Sequence, residues 1–144
     1  MPVSETRRVG GARVAKDELE QLSAFRHALR LFLRFSEDAC RDEGVSMLQY
    51  QLLLHTQGMP GRDWASIGEL AERLQAKSHG VVALVDRCES AGLVRRRTND
   101  DDRRLVEVHP TAEGRRVLDV LARAHRGELG HLAEVVDQAA ARAE

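Results

Sequence analysis

Aromatic residues are scarce in this chain: one tryptophan, one tyrosine and three phenylalanines make up 3% of 144 residues. A core built on large rings is thereby excluded, and Leu, Val and Ala must supply the buried surface. With 31% charged residues, this composition suits a helical protein with wide solvated faces. An excess of one charge sign is also missing. The formal net charge is −1, so bulk electrostatics cannot draw the protein to a polyanion, and only a local cluster can. The two cysteines, Cys40 and Cys88, lie far apart without paired spacing, which predicts reduced thiols in a cytosolic protein. No apolar run approaches membrane-spanning length, and the arginine-bearing N-terminus lacks the apolar stretch of a secretory signal. The expectation is a soluble, cytoplasmic protein with no membrane partner. A phosphate-binding glycine loop, a nucleophile elbow and an acid/base pair at reactive spacing are all wanting, so no enzyme is expected. The histidines at 27, 55, 79, 109, 125 and 131 show no tight ligand spacing, which points to no metal and no cofactor.

Helical periodicity dominates both ends of the chain. A chain of this length is expected to form one domain. Residues 1–15, with Pro2, Gly10, Gly11 and scattered arginines, have no period and read as a flexible arm. From Asp17 onward Leu22, Phe25, Leu29, Phe32, Ser36 and Ala39 recur at three- and four-residue steps, predicting a long helix that Gly44 ends. Ser46 with Gln49 forms a capping-box signature for a second helix that stops near Gly58, and Gly58-Met59-Pro60-Gly61 reads as a turn. Ser66 with Glu69 is a second capping box, opening a third helix to Leu74. Ser78 (or Lys77) begins a fourth, with Gly92 placed as the glycine beyond its end. Two β-rich runs follow, Leu93–Thr98 and Arg104–His109, around the polar turn Asn99-Asp100-Asp101-Asp102-Arg103. Thr111 is a good N-cap for a last helical region, where Leu118, Leu121, His125, Leu129, Leu132 and Val136 form an apolar stripe with one polar interruption. Gly127 and Gly130 offer a point at which this region splits into two helices.

Helix, turn, helix and hairpin in that order is the layout of a winged helix-turn-helix, a mostly α fold with a small β hairpin. It places one helix in a DNA major groove and a basic hairpin beside it. The two terminal amphipathic helices must bury their stripes. A small module offers too little surface for both, which favours a homodimer formed by the terminal helices; packing of the two helices within one chain is the alternative.

Within the fourth helix Val81, Val82, Leu84, Val85 and Cys88 read as an inward apolar face. Lys77, Ser78, His79 and Gly80 at its start, and Arg87 further along, are placed to reach phosphates and base edges; Gly80 lets the backbone approach closely. A solvated helix end is the competing reading. Arg95, Arg96 and Arg97 precede the hairpin turn, and Arg103 and Arg104 follow it. Strand alternation sends Arg95 and Arg97 to one face and Arg96 to the other. An arginine at a hairpin tip can enter a minor groove. The triplet Asp100-Asp101-Asp102 opposes DNA binding; one aspartate aiming an arginine accounts for one of the three, and the other two are expected to stay solvated.

The run Ile67-Gly68-Glu69-Leu70-Ala71-Glu72-Arg73-Leu74, the run Leu84 to Arg96, Asp102-Arg103-Arg104 and, seven residues after Arg104, Thr111-Ala112-Glu113-Gly114 together resemble the winged-helix core of the MarR (multiple-antibiotic-resistance regulator) family. The match covers about a third of the chain, with Pro110 and Cys88 standing where the family usually has leucine. The resemblance implies residues 46–110 as the winged helix-turn-helix core, and 16–43 and 111–144 as dimerisation helices, within a single domain 16–144. It implies a homodimeric transcription regulator, usually a repressor, on pseudo-palindromic operators of double-stranded DNA. Arg104 matches the wing arginine of the family and Asp102 its orienting partner. Ser78, His79, Gly80 and Ala83 fall at base-reading positions, where Gly80 and Ala83 leave little direct readout.

Many relatives leave DNA on binding a small aromatic or phenolic effector between the dimer helices and the winged domain. The liners this implies are His27, Arg30, Tyr50 and Trp64. Trp64 as a loop anchor, Tyr50 as a core residue and His27 as a solvated histidine are their competing readings. A cysteine-based redox sensor is disfavoured, because Cys40 lies near the end of the first helix and Cys88 faces the core. The rival function class is a winged-helix protein-interaction module without an operator.

Overall fold

The computed structural model describes residues 11–142. Of the arm expected over 1–15, residues 1–10 lie outside that range, and 11–15 are exposed without regular secondary structure. Five helices and three strands follow: α1 (Lys16–Asp42), α2 (Met47–Gln57), β1 (Ala65–Ser66), α3 (Ile67–Leu74), α4 (Ser78–Ser90), β2 (Val94–Thr98), β3 (Val106–Pro110) and α5 (Ala112–Arg142). No helix among the described residues is long and apolar enough to cross a membrane.

Local chemistry sets most of these boundaries. Ser46 and Gln49 close a capping box on α2, the hydroxyl accepting from Gln49 N at 3.1 Å and the amide oxygen from Ser46 N at 2.9 Å. Ser66 and Glu69 do the same for α3. Each such cap contributes about 1 kcal/mol. Helices α1 and α4 end in the same way. Gly44 (φ 75°) and Gly92 (φ 74°) turn left-handed, and the next residue donates back five positions, Val45 N to Cys40 O at 3.0 Å and Leu93 N to Cys88 O at 2.9 Å.

The core lies where α2, α3, α4 and the start of α5 meet the sheet, filled by Leu52, Leu53, Leu70, Val85, Val108 and Leu121. The strand order is β1-β3-β2, antiparallel throughout, with Val108 opposite both Ala65 and Arg96. β1 adds a strand to the expected hairpin; at two residues it is too short to show alternation. The hairpin's second strand begins later than expected, at Val106, so Arg104 lies in the loop. Its amide is drawn to the Asp102 carboxylate at 3.1 Å, and Leu105 N to Asp102 O at 3.0 Å, which keeps the chain turning through residue 105.

At the start of α5, Thr111 accepts from Gly114 N at 3.0 Å and donates to Gly92 O at 2.6 Å. A Cβ on Gly114 would stand 1.9 Å from Leu93 O, so only glycine lets this first turn lie against the entry to β2. The expected break at Gly127 and Gly130 does not occur, and α5 runs unbroken for 31 residues. Neither glycine has positive φ, and the roughly 1 kcal/mol that each costs relative to alanine is offset by helix formers around them and by packing along α1. Helices α1 and α5 pair within the chain, burying Ser36, Leu121 and His125. Leu19, Leu22, Leu31, Leu33, Leu129 and Val136 remain exposed on the same two helices.

Candidate nucleic-acid interface

The buried residues of α4 are Val81, Leu84, Val85 and Cys88, an i, i+3, i+4, i+7 stripe. Val82 was expected inward with them. It falls off that stripe and is 40% exposed, on the outward side with Ser78, His79, Gly80 and Ala83. Lys77 and Arg87 are exposed as well. Lys77 is the N-cap, without a side-chain cap bond, so the first-turn N–H groups of α4 stay available to an anion. A Cβ on Gly80 would meet nothing within 4 Å, so no intrachain contact requires the glycine, and the backbone there is open to approach. The outward face thus pairs a few hydrogen-bonding groups with the apolar Val82 and Ala83, which suit a thymine methyl.

Beside this helix stands the wing. Arg96 turns away from Arg95 and Arg97, as alternation requires, and folds onto α4. It reaches Asp86, Glu89 Oε1 at 3.1 Å and Val82 O at 3.4 Å, while Glu89 Oε2 accepts from Arg96 N at 3.2 Å. It braces β2 against α4. Arg95 and Arg103 are exposed and make no ion pair among the described residues. Arg97 pairs with Asp100 at 3.0 Å, so a second aspartate of the triplet, expected to be merely solvated, has a partner. Asp102 receives Arg104 through Nε at 3.1 Å and Nη2 at 3.4 Å, and these bonds hold its carboxyl below the usual carboxylate range. The Arg104 side chain is itself 92% exposed, aimed but uncovered.

A family model of the MarR family matches residues 43–105, the stretch that holds the helix-turn-helix and most of the wing. Over that stretch the chain is similar to the MarR family. It has the winged-helix fold seen in MarR family structures. Solved structures share that fold. AbsC, a MarR family transcriptional regulator from Streptomyces coelicolor, is 21% identical over 85% of this chain and 82% of its own, with a TM-score of 0.71. The MarR family transcription regulator SP03579 is 25% identical over 88% and 84%, with a TM-score of 0.69. Apo MarR from E. coli is 16% identical over 85% of each chain, with a TM-score of 0.63. No curated protein matches the sequence.

The four expected effector liners are not brought together. His27 lies in a groove between α1 and α5 with Phe32 and His131, and Arg30 is exposed on α1. Trp64 carries the Arg62 guanidinium 4.3 Å above its ring, and Arg62 in turn pairs with Glu69. Tyr50 alone borders a cavity of about 540 Å³ between α1, α2 and α5, lined by Phe32, Met47, Leu54, His125 and Leu129 among others. The physical reason is spacing: the residues sit on different elements and faces, which a shared chemistry of arginine, histidine and rings does not reveal. Sequence reasoning passed over Ser36 and His125, which meet beside that cavity at 2.8 Å, with Tyr50 stacked on the imidazole at 4.7 Å. Each is a polar residue within an otherwise apolar helical stripe, and that shared oddity was the available signal.

Both cysteines are buried. Burial pushes the Cys40 thiol up and the Cys88 thiol up to about 11. Among the described residues no group of three His, Cys, Asp or Glu side chains converges on a metal position.

Proposed function

We propose that this chain is a cytoplasmic, homodimeric repressor of pseudo-palindromic operators, with no catalytic step and no cofactor. Its DNA contacts are Lys77, Ser78, His79, Gly80, Ala83 and Arg87 of the recognition helix, together with Arg95, Arg97, Arg103 and Arg104 of the wing. The observation that carries this reading is the pairing of an exposed α4 N-terminus with an uncovered Arg104 that Asp102 aims. Arg104 enters the minor groove, and shape readout there compensates for the sparse hydrogen-bonding groups at Gly80 and Ala83.

Residues 46–110 form the DNA-reading core, and 16–43 with 111–144, of which 143–144 lie outside the described residues, the dimerisation segments. Exposed Leu22, Leu129 and Val136 on α1 and α5 supply the apolar surface for a second copy. A small aromatic effector, entering the cavity beside Tyr50, releases the operator. The buried thiols speak against cysteine-based sensing, because a protonated, enclosed sulfur is a poor nucleophile.

Electrophoretic retardation of the DNA upstream of the coding sequence, across a salt series, tests the reading. Tight binding with log affinity falling steeply against log salt is expected. Absence of retardation on every genomic fragment would instead favour the protein-interaction module, for which the exposed Asp100 and Asp101 at the wing tip are the supporting observation.

A further inference from the structure

The wing tip hangs on two residues that carry no positive charge. Glu107 lies in β3, the middle strand, opposite Ser66 on one side and Arg97 on the other, and is 7% exposed. Its carboxylate accepts from Asn99 Nδ2 at 2.6 Å and stands 2.7 Å from His109 Nε2. These hydrogen bonds, His109's first, hold its carboxyl below the usual range. Asn99 is the residue after β2. Its Oδ1 accepts from the backbone N–H of Asp101 at 3.0 Å and of Asp102 at 2.8 Å. Only one orientation of the Asn99 amide fits, since the reverse would set its NH2 against two N–H donors and its oxygen against a carboxylate.

The backbone of Asp102 is thus fixed before its carboxylate grips Arg104 through N, Nε and Nη2. Behind Glu107, His109 tilts against Trp64 with ring centroids 6.5 Å apart. A carboxylate enclosed at the base of a DNA-binding hairpin is costly to desolvate and repels phosphate. What it gives in return is the anchoring of Asn99.

We propose that Asn99 and Glu107 are positioning residues for the wing. Glu107, enclosed by the sheet, anchors the Asn99 amide, and Asn99 sets the loop so that Asp102 presents Arg104 to DNA. This inference rests on the operator reading above.

The test uses the full chain and the upstream fragment to which the wild type binds. Asn99→Ala is expected to lower affinity about tenfold, comparably to Arg104→Ala. The double variant is expected to bind no more weakly than Arg104→Ala alone, because Asn99 acts through Arg104. Glu107→Ala should follow Asn99→Ala, while Glu107→Gln, whose amide oxygen still accepts from Asn99, should stay within about twofold of wild type. In the free protein, amide exchange at Asp101 and Asp102 should accelerate about tenfold in Asn99→Ala. Wild-type affinity in Asn99→Ala while Arg104→Ala is impaired would overturn the proposal. So would losses that multiply in the double variant, or unchanged exchange at the two amides. If the wild type retards no fragment, the operator reading falls instead; exchange then still decides whether Asn99 orders the loop.

Discussion

Ser36 Oγ in α1 and His125 Nε2 in α5 lie 2.8 Å apart, and their hydrogen bond is the buried polar link between the two terminal helices. The other imidazole nitrogen stands 2.7 Å from Leu121 O, which can only accept, so Nδ1 carries a proton. In the neutral ring Nε2 is therefore the acceptor of the Ser36 hydroxyl. Ser36→Ala strands a buried nitrogen and should cost about 1–3 kcal/mol in urea unfolding. Ser36→Ala combined with His125→Leu should cost less than the sum of the single changes. Additive losses would show that the bond has no energetic weight.

Arg104→Ala should weaken operator binding by about 1–3 kcal/mol and leave the oligomeric state unchanged in light scattering. Because Arg104 is almost wholly exposed, the thermal midpoint of the free protein should not move. Normal binding by this variant would remove the wing from the interface.

The glycines of α5 should respond with opposite signs. Gly114→Ala drives a Cβ into the Leu93 carbonyl and should destabilise by about 3 kcal/mol or more, or prevent folding. Gly127→Ala and Gly130→Ala, with open space around them, should each stabilise by about 0.5–1 kcal/mol. Chemical denaturation of the three single variants separates these cases.

Thiol titration should find Cys40 and Cys88 unreactive at pH 8 until denaturant is added, as burial raises both above the ordinary thiol value of 9.0. The linkage has a definite sign. Above pH 9 the unfolded chain loses thiol protons that the folded chain keeps, so stability falls as pH rises from 9.0 towards about 11. Cys88→Ala should flatten that decline. Rapid native labelling of Cys40 at pH 8 would reopen the sensing role.

Helix starts and stops were legible in the sequence because they rest on neighbours: Ser46 with Gln49, Ser66 with Glu69, and the glycines at 44 and 92. The Asp102–Arg104 pair was legible for the same reason, at a separation of two residues. Less was legible where partners are distant or faces decide. The third strand was missed because Ala65 and Ser66 become a strand only through β3. Val82 was misplaced because six apolar residues in eight, 81–88, blur the stripe edge. The anchoring of Asn99 by Glu107 and the meeting of Ser36 with His125 span 8 and 89 residues, and only folding brings either pair together.

The contact of Gly114 with Leu93 has a mechanical side. It docks the first turn of α5 at the entry to the strand that Arg96 ties to α4, so wing, α4 and the root of α5 are linked by direct contacts into one head. From that root α5 extends 31 residues, roughly 46 Å at 1.5 Å per residue. Each degree by which this shaft tilts about its far end swings the head by roughly 0.8 Å, given that helix length. On the proposed operator reading, a tilt of a few degrees therefore shifts the head by about one base-pair step, 3.4 Å.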